Sequence, residues 1–345
     1  MILLVRSFFF FSFLFSLCQG AIEEESLFIG WQGEKNIVRS PNIGNKDDTK
    51  PWVEQISWKP RAYVYHNFLT KSEARHIVNV AGKHMKRSTV VGENDKGVVS
   101  NYRTSYGTFI NRNVDAVIDS IEQRIALWTH LPPINQEDMQ VLRYGATNKY
   151  GPHTDGLGRV ATVLMYLVAP EAGGETAFIN SEWATQGQAS RATSMNLSDC
   201  AKGHVAFKPK MGDALLFYDR KPDYKTEDSN SEHTGCPVVS GVKWNAVKWI
   251  HGEPFNANSY SMSRGDWMHK NDPDPGMCVN RHSQCEAWAN VDECNKNSQY
   301  MADNCALACK LCSPCSDNDK ECINSNRAKA GYLILEAKEL ASLLD

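Results

Sequence analysis

The sequence predicts a mainly β domain with flanking helices, a sandwich or barrel of antiparallel sheet, followed by a small disulfide-rich module. Three observations carry that expectation. From Gln140 onward, QVLRY, RVATVLMYLV, HVAFK, DALLFY and NAVKWIH are short β-branched and aromatic runs broken by Gly, Pro, Asn or Asp. Before them lie two helical stretches, one with a capping box and one with apolar residues at helical spacing. The cysteines are lopsided: Cys200 and Cys236 stand alone, while Cys278, Cys285, Cys294, Cys305, Cys309, Cys312, Cys315 and Cys322 crowd together. A chain of 345 residues, 42% of them hydrophobic, can bury one large core beside such a module. Its formal charge of −3 argues against a nucleic-acid partner.

Each element follows in order. Arg6 precedes the apolar run from Phe8 to Cys18, and small Gly20 and Ala21 follow, the pattern of a signal peptide over residues 1–20. That run falls well short of the roughly 18 residues a spanning helix needs. A signal anchor, with Arg6 at the membrane surface and Met1 to Val5 inside, is the alternative. Residues 21–50 are polar and aperiodic and read as a flexible lead-in. Order is expected from Pro51, with WVEQISWKPRAYVYHNF as strands broken at Pro60. TKSEARHIVNVAGKHM follows as a helix, with Thr70 and Glu73 as its capping box. From Val114 to Trp128 the spacing predicts a second helix packing through Val114, Val117, Ile118, Ile121, Ile125 and Leu127. Residues 180–202 read as a surface excursion holding the sequon Asn196-Leu197-Ser198, a candidate glycan site. Residues 255–277 have linker composition, and residues 313–345 form a tail in which AGYLILEAKELASLLD could be an amphipathic helix.

The chemistry concentrates in PHTDG and SEHTG. His153 and Asp155 are separated by one residue, so an extended strand points both side chains to one face. His233, from a distant strand, could complete a two-histidine, one-carboxylate face with three metal positions open, the facial triad of non-haem Fe(II) oxygenases. Ordinary core or surface histidines are the alternative. Lys243, ten residues after His233, could supply a fixed cation for a carboxylate co-substrate, or be a solvated charge.

With QVLRYGATNKYGPHTDG, RVATVLMYLVAPEAGGETAF, MGDALLF and EHTGCPVVSGVKWNAVKWIH in this order, residues 51–254 resemble the prolyl 4-hydroxylases of plant and algal type, 2-oxoglutarate- and Fe(II)-dependent dioxygenases. The resemblance implies a double-stranded β-helix (jelly-roll) domain. It implies His153, Asp155 and His233 as iron ligands, and Lys243 with Tyr144 as partners of the distal carboxylate of 2-oxoglutarate. It places Arg103, Ser105, Glu137, Tyr150, Arg159, Trp249 and His251 along a peptide groove. From the residues alone, Tyr144 and Trp249 could equally be strand and core aromatics. The implied activity is procollagen-proline-type: C4 hydroxylation of peptidyl proline in proline-rich secretory proteins, with O2 reduction coupled to decarboxylation of 2-oxoglutarate to succinate and CO2. Ascorbate is expected to rescue oxidised iron. The chain departs from the family in the short GLG segment between Asp155 and Arg159 and in INSEW after GGETAF, both near the expected substrate entrance.

Six cysteines from Cys278 to Cys312 cannot rest on an ordinary core, and spacing alone leaves every pairing open, with a zinc site as a rival. Residues 278–312 resemble a ShKT domain, which implies Cys278–Cys312, Cys285–Cys305 and Cys294–Cys309. Cys200–Cys236 resembles a disulfide of the catalytic domain, and Cys315–Cys322 remain to pair with each other. Acidic Glu286, Asp292, Glu293 and Asp303 argue against a channel-blocking role for the module. The expected setting is the secretory pathway, in the endoplasmic reticulum lumen or Golgi, with membrane contact only through an N-terminal anchor. Two rivals stand beside this reading: a related dioxygenase acting on another side chain, and an inactive binder of proline-rich peptides.

Overall fold

The computed structural model describes residues 50–88, 90–91, 97–98, 101–262, 273–334 and 339. The N-terminal apolar run, the lead-in before residue 50 and the middle of the expected linker lie outside the described residues. Among the described residues no helix is long and apolar enough to cross a membrane.

Pro60 sits at the turn between β1 (Trp52–Lys59) and β2 (Arg61–His66), preceded by a cis peptide. The Thr70 hydroxyl accepts from the Glu73 N–H while the Glu73 carboxylate accepts from the Thr70 N–H, so the capping box opens α1 (Lys71–Gly82). Next come β3 (Lys86–Arg87), β4 (Val90–Val91), β5 (Gly97–Val98) and β6 (Tyr106–Ile110). In α2 (Ala116–Thr129), Asp115 is the N-cap, accepting from the Val117 and Ile118 N–H groups. Ile118, Ile121 and Ile125 are fully buried, but Leu127 is 76% exposed, against expectation. At about 100° per residue Leu127 lies on the side of the helix opposite Ile118, so it cannot share that packing face.

The remaining strands are β7 (Met139–Tyr144), β8 (Tyr150–His153), β9 (Arg159–Val168), β10 (Ala172–Gly173), β11 (Thr176–Phe178) and β12 (Glu182–Trp183). After α3 (Gln186–Ser194) come β13 (Val205–Phe207), β14 (Ala214–Tyr218), β15 (His233–Gly235), β16 (Val238–Ser240) and β17 (Lys243–His251). An antiparallel sheet in the order β12-β1-β2-β14-β9-β17-β7-β6-β3 faces a smaller antiparallel sheet, β13-β11-β15-β8. This is the expected jelly-roll class.

Strand alternation divides the core in two. Along β9, Ala161, Val163, Met165 and Leu167 pack toward α1 and α2, whereas Leu164 and Tyr166 face the smaller sheet. β17 alternates the same way, with Trp244, Ala246 and Ile250 on the helix side and Val247 and Trp249 on the other. Lys243 and Asn245 share parity with Val247 and therefore enter the space between the sheets.

The excursion over residues 180–202 is more ordered than a surface loop. β12 pairs with β1, Gln188 of α3 donates to the Gln55 carbonyl and to Glu54, and Leu197 and Ala201 are buried beside Cys236. Its polar composition hides this anchoring, because side chain to backbone bonds do the work of apolar burial. The structure pairs Cys200 with Cys236, Cys278 with Cys312, Cys285 with Cys305, Cys294 with Cys309 and Cys315 with Cys322.

Beyond β17, Arg112 is buried and donates to the carbonyls of Phe255 and Asn256 and to the Ser259 hydroxyl in α4 (Ala257–Met262). The cysteine-rich module contains three short helices, α5 (Cys285–Asn290), α6 (Glu293–Lys296) and α7 (Ser298–Asn304). The tail helix is α8 (Lys320–Lys329), earlier than expected. It ends before Gly331, whose φ of +76° breaks the helix, and the chain then runs back to the large domain. Tyr332 bridges to Lys86, the Leu333 N–H donates to the Met85 carbonyl, and Leu333 joins the helix-side core. Glu339 accepts two bonds from Arg143 and one from the Trp244 indole. Of the expected terminal helix, residues 335–338 and 340–345 lie outside the described residues.

Candidate active site

β8 ends on His153 and β15 begins on His233, and the two residues are direct partners in the antiparallel ladder. Their rings lie 4.3 Å apart. Asp155 follows β8 and places Oδ1 3.7 Å from His153 Nε2. One ligand atom from each of His153, Asp155 and His233 lies within 4.8 Å of the others, a metal-competent cluster of two histidines and one carboxylate.

The local bonds prepare these groups for a cation. His153 Nδ1 lies 2.9 Å from the Gly151 carbonyl, and His233 Nδ1 lies 3.0 Å from the Ser231 carbonyl. Each Nδ1 therefore carries the proton, which leaves the Nε2 lone pair free for a metal. Burial and the neighbouring His233 push His153 down to about 3, so it is a neutral ligand. Burial opposes ionisation of Asp155, but the two imidazoles, Thr162 and Arg159 outweigh it and hold the carboxyl below its ordinary value. A carboxylate, two imidazoles with Nε2 unencumbered and an open side suit Fe(II).

Thr162 and Asp219 were not anticipated from the sequence. The Thr162 hydroxyl lies 2.7 Å from Asp155 Oδ2 and 2.9 Å from Asp219 Oδ2. Burial and the Asp155 charge raise the Asp219 carboxyl well above its ordinary range. The Thr162 hydroxyl is thus placed to donate to either carboxyl, and its position between them fixes the orientation of Asp155. A hydroxyl at an inward position of an otherwise apolar strand was the available signal.

Lys243 opens β17 and is paired with Tyr144 at the end of β7. It is buried, donates to the Gly174 carbonyl at 2.7 Å, and lies over the rings of Tyr144 and Tyr166. Burial pulls its ammonium down to about 7, with the Glu175 charge pulling it back. A desolvated ammonium in such a pocket gains strongly from a carboxylate. Lys243, Tyr144, His153, Asp155 and His233 line one cavity, so the buried cation and the candidate metal face share a single space.

The other expected residues fall into two groups. Arg103, Tyr150, Arg159 and Trp249 line a groove that opens from this cavity. Tyr150 stacks on His153 at 3.7 Å, Arg103 lies over Tyr150, and Arg159 lies 3.7 Å above Trp249. Glu137 binds both Arg159 and His251 at the rim. Burial would raise the Glu137 carboxyl, but His251 and Arg159 hold it at about 2. Ser105, by contrast, is fully buried beneath the groove and donates to the hydroxyl of Ser88 on its lining.

Fold and site together define a 2-oxoglutarate- and Fe(II)-dependent dioxygenase. Residues 139–251 match the model of the 2OG-Fe(II) oxygenase superfamily, and residues 277–312 match the ShK domain-like model. The chain is 41% identical over 278 residues to probable prolyl 4-hydroxylase 4 of Arabidopsis thaliana, covering 75% of this chain and 88% of that protein. It is 48% identical over 228 residues to probable prolyl 4-hydroxylase 10 of the same plant, covering 63% and 76%. Among solved structures, the viral collagen prolyl hydroxylase of Paramecium Bursaria Chlorella virus-1, in its 2OG complex, aligns with 26% identity. That alignment has a TM-score of 0.39 and covers 60% of this chain and 98% of the viral one. The chain belongs to the prolyl 4-hydroxylase family.

Proposed function

We propose that this chain hydroxylates C4 of peptidyl proline in proline-rich proteins of the secretory pathway. One observation carries the proposal: an open face of two histidines and a carboxylate shares a cavity with the buried cation Lys243. In this reading His153, Asp155 and His233 hold Fe(II), while Lys243 and Tyr144 hold the distal carboxylate of 2-oxoglutarate. Iron and 2-oxoglutarate, when bound with O2, supply the oxidising chemistry, yielding succinate, CO2 and the C4 hydroxyl.

The chain's own residues do the rest. Thr162 and Asp219 fix the Asp155 carboxylate. Arg103, Tyr150, Arg159 and Trp249 form a groove of cationic and aromatic surface, suited to proline rings and to the free carbonyls of a polyproline chain. Glu137 and His251 keep Arg159 in place over Trp249. Ascorbate serves to restore oxidised iron. The disulfides support an oxidising compartment, the endoplasmic reticulum lumen or Golgi, where the exposed Asn196 accepts a glycan.

The test is succinate release with Fe(II), ascorbate and 2-oxoglutarate, with and without polyproline, followed by mass analysis of the peptide. Peptide-stimulated succinate with one added oxygen on proline, lost in Asp155→Ala, is expected. Oxygen on another residue, or bound iron without turnover, defeats the proposal.

A further inference from the structure

The short segment between Asp155 and Arg159 holds the feature that the fold itself does not explain. Gly156, Leu157 and Gly158 have φ values of +49°, +52° and +78°, three consecutive left-handed residues. Glycine adopts that backbone freely, whereas a branched apolar side chain adopts it at a cost. Leu157 gains no burial in return, being 80% exposed. A single exposed leucine would need no explanation. A leucine held in the left-handed region while contributing nothing to the core is a different matter, because such strain persists where function maintains it.

The position of Leu157 is set from both sides. The Arg159 N–H donates to the Gly156 carbonyl at 2.9 Å, closing the turn, and the Arg159 guanidinium donates to the Asp155 carbonyl at 3.1 Å. The turn is thus tied to a candidate metal ligand at one end and to the Arg159–Trp249 stack at the other. Leu157 lines the groove together with Phe109, Tyr150 and Trp249, and Phe109 is itself 49% exposed. A β-carbon added to Gly156 would meet nothing within 4 Å, so among the described residues no atom covers the turn.

We infer that Leu157 is a specificity-determining residue: it contacts the residue next to the target proline and selects for an apolar one, proline or alanine, over a charged one. The inference rests on the hydroxylase reading, and continuity with that groove identifies the occupant as the peptide substrate. A charged neighbour would lose its hydration against Leu157 and Phe109, and the groove's arginines are already engaged, Arg103 with Gln140 and Tyr150 and Arg159 with Glu137 and Trp249.

The experiment compares the full chain with Leu157→Gly and Leu157→Asn on polyproline, alternating Ala-Pro and alternating Glu-Pro peptides. Glycine relieves the left-handed backbone and asparagine tolerates it, so both variants keep the melting temperature of the parent or exceed it. KM for polyproline and Ala-Pro rises about tenfold in both, the order expected for withdrawing one leucine side chain from an apolar contact. KM for Glu-Pro stays the same, and kcat at saturating peptide is retained. Unchanged KM on all peptides, or an equal rise on all three, overturns the inference. Calorimetric binding of the same peptides decides the role of Leu157 even where no hydroxyproline forms. The absence of hydroxyproline on every peptide with the unsubstituted chain defeats the hydroxylase reading instead.

Discussion

The jelly roll and the cysteine-rich module solve the same problem by opposite means. The large domain carries two apolar clusters, one between sheet and helices and one between the sheets, and its disulfide Cys200–Cys236 ties a peripheral excursion to β15. In the module, fully buried apolar contact reduces to Met301 between Cys285 and Cys305, with Trp288 and Ala289 partly buried around them. Three crosslinks hold residues 278–312 instead. Burial grows with chain length faster than loop-closure entropy does, so a long chain can rely on burial and a short one must restrict its unfolded state. Polar chemistry needs the first solution: only a domain with apolar surface to spare can keep Lys243, Asp155 and Asp219 out of water.

This contrast can be broken at its largest expected effect by attacking charge inside the large core. Lys248 and Glu122 form a fully buried pair at 2.7 Å, Lys248 also donating to the Glu137 carbonyl. Lys248→Met alone strands the Glu122 carboxylate and destabilises the domain by about 3–5 kcal/mol. Lys248→Met with Glu122→Leu recovers most of that loss. Urea unfolding followed by tryptophan fluorescence checks both, and equal losses in the single and double variants would show that packing rather than charge is at stake.

A somewhat smaller effect sharpens the other side. Replacing Cys285 and Cys305 together by serine removes about 3 kcal/mol of loop constraint from the module. Limited proteolysis then cuts within residues 278–312, while the urea midpoint of the jelly roll is unmoved. Cooperative loss of both parts would show that the module is built into the larger domain's stability.

The smallest effect concerns pH. His66 stacks on Trp52, with Asp213 at 2.8 Å and Glu54 at 3.6 Å. Burial lowers its pKa, but the hydrogen bond to Asp213 and the nearby Glu54 carboxylate prevail and raise it above the ordinary 6.5. The protonated imidazole therefore stabilises the fold fully below pH 6.5, and that contribution is lost as pH rises through the higher folded-state value. Melting curves between pH 5 and 9, on an order-of-magnitude scale of half a unit per step, should show this slope in the parent and a flatter one in His66→Gln. The proteolytic resistance of the disulfide-held module should not follow the same slope.

Much of the site was legible because its chemistry lies in short local patterns. One intervening residue puts His153 and Asp155 on one face, and Lys243, ten residues after His233, lines the same cavity. The strands were legible as short β-branched and aromatic runs between turn residues. What escaped reading depends on contacts between distant residues. Thr162 looks like a strand former until β14 brings Asp219 beside it, and Ser105 looks like a groove residue until Ser88 and Tyr144 close around it. Leu127 shows the same limit in a helix, since a list of apolar residues does not say which of them lie on one face.

The return of the tail changes what kind of appendage the module is. Arg112 fastens the outgoing chain at Phe255 and Asn256, and Leu333, Tyr332 and Glu339 fasten the incoming chain at Met85, Lys86, Arg143 and Trp244. Topologically the module is a handle with two roots rather than a pendant on a string. One root lies on Trp244 and Arg143, the back-side neighbours of Lys243 and Tyr144 in the same two strands. A load on the handle is therefore delivered to the pair of strands that carries the candidate co-substrate site.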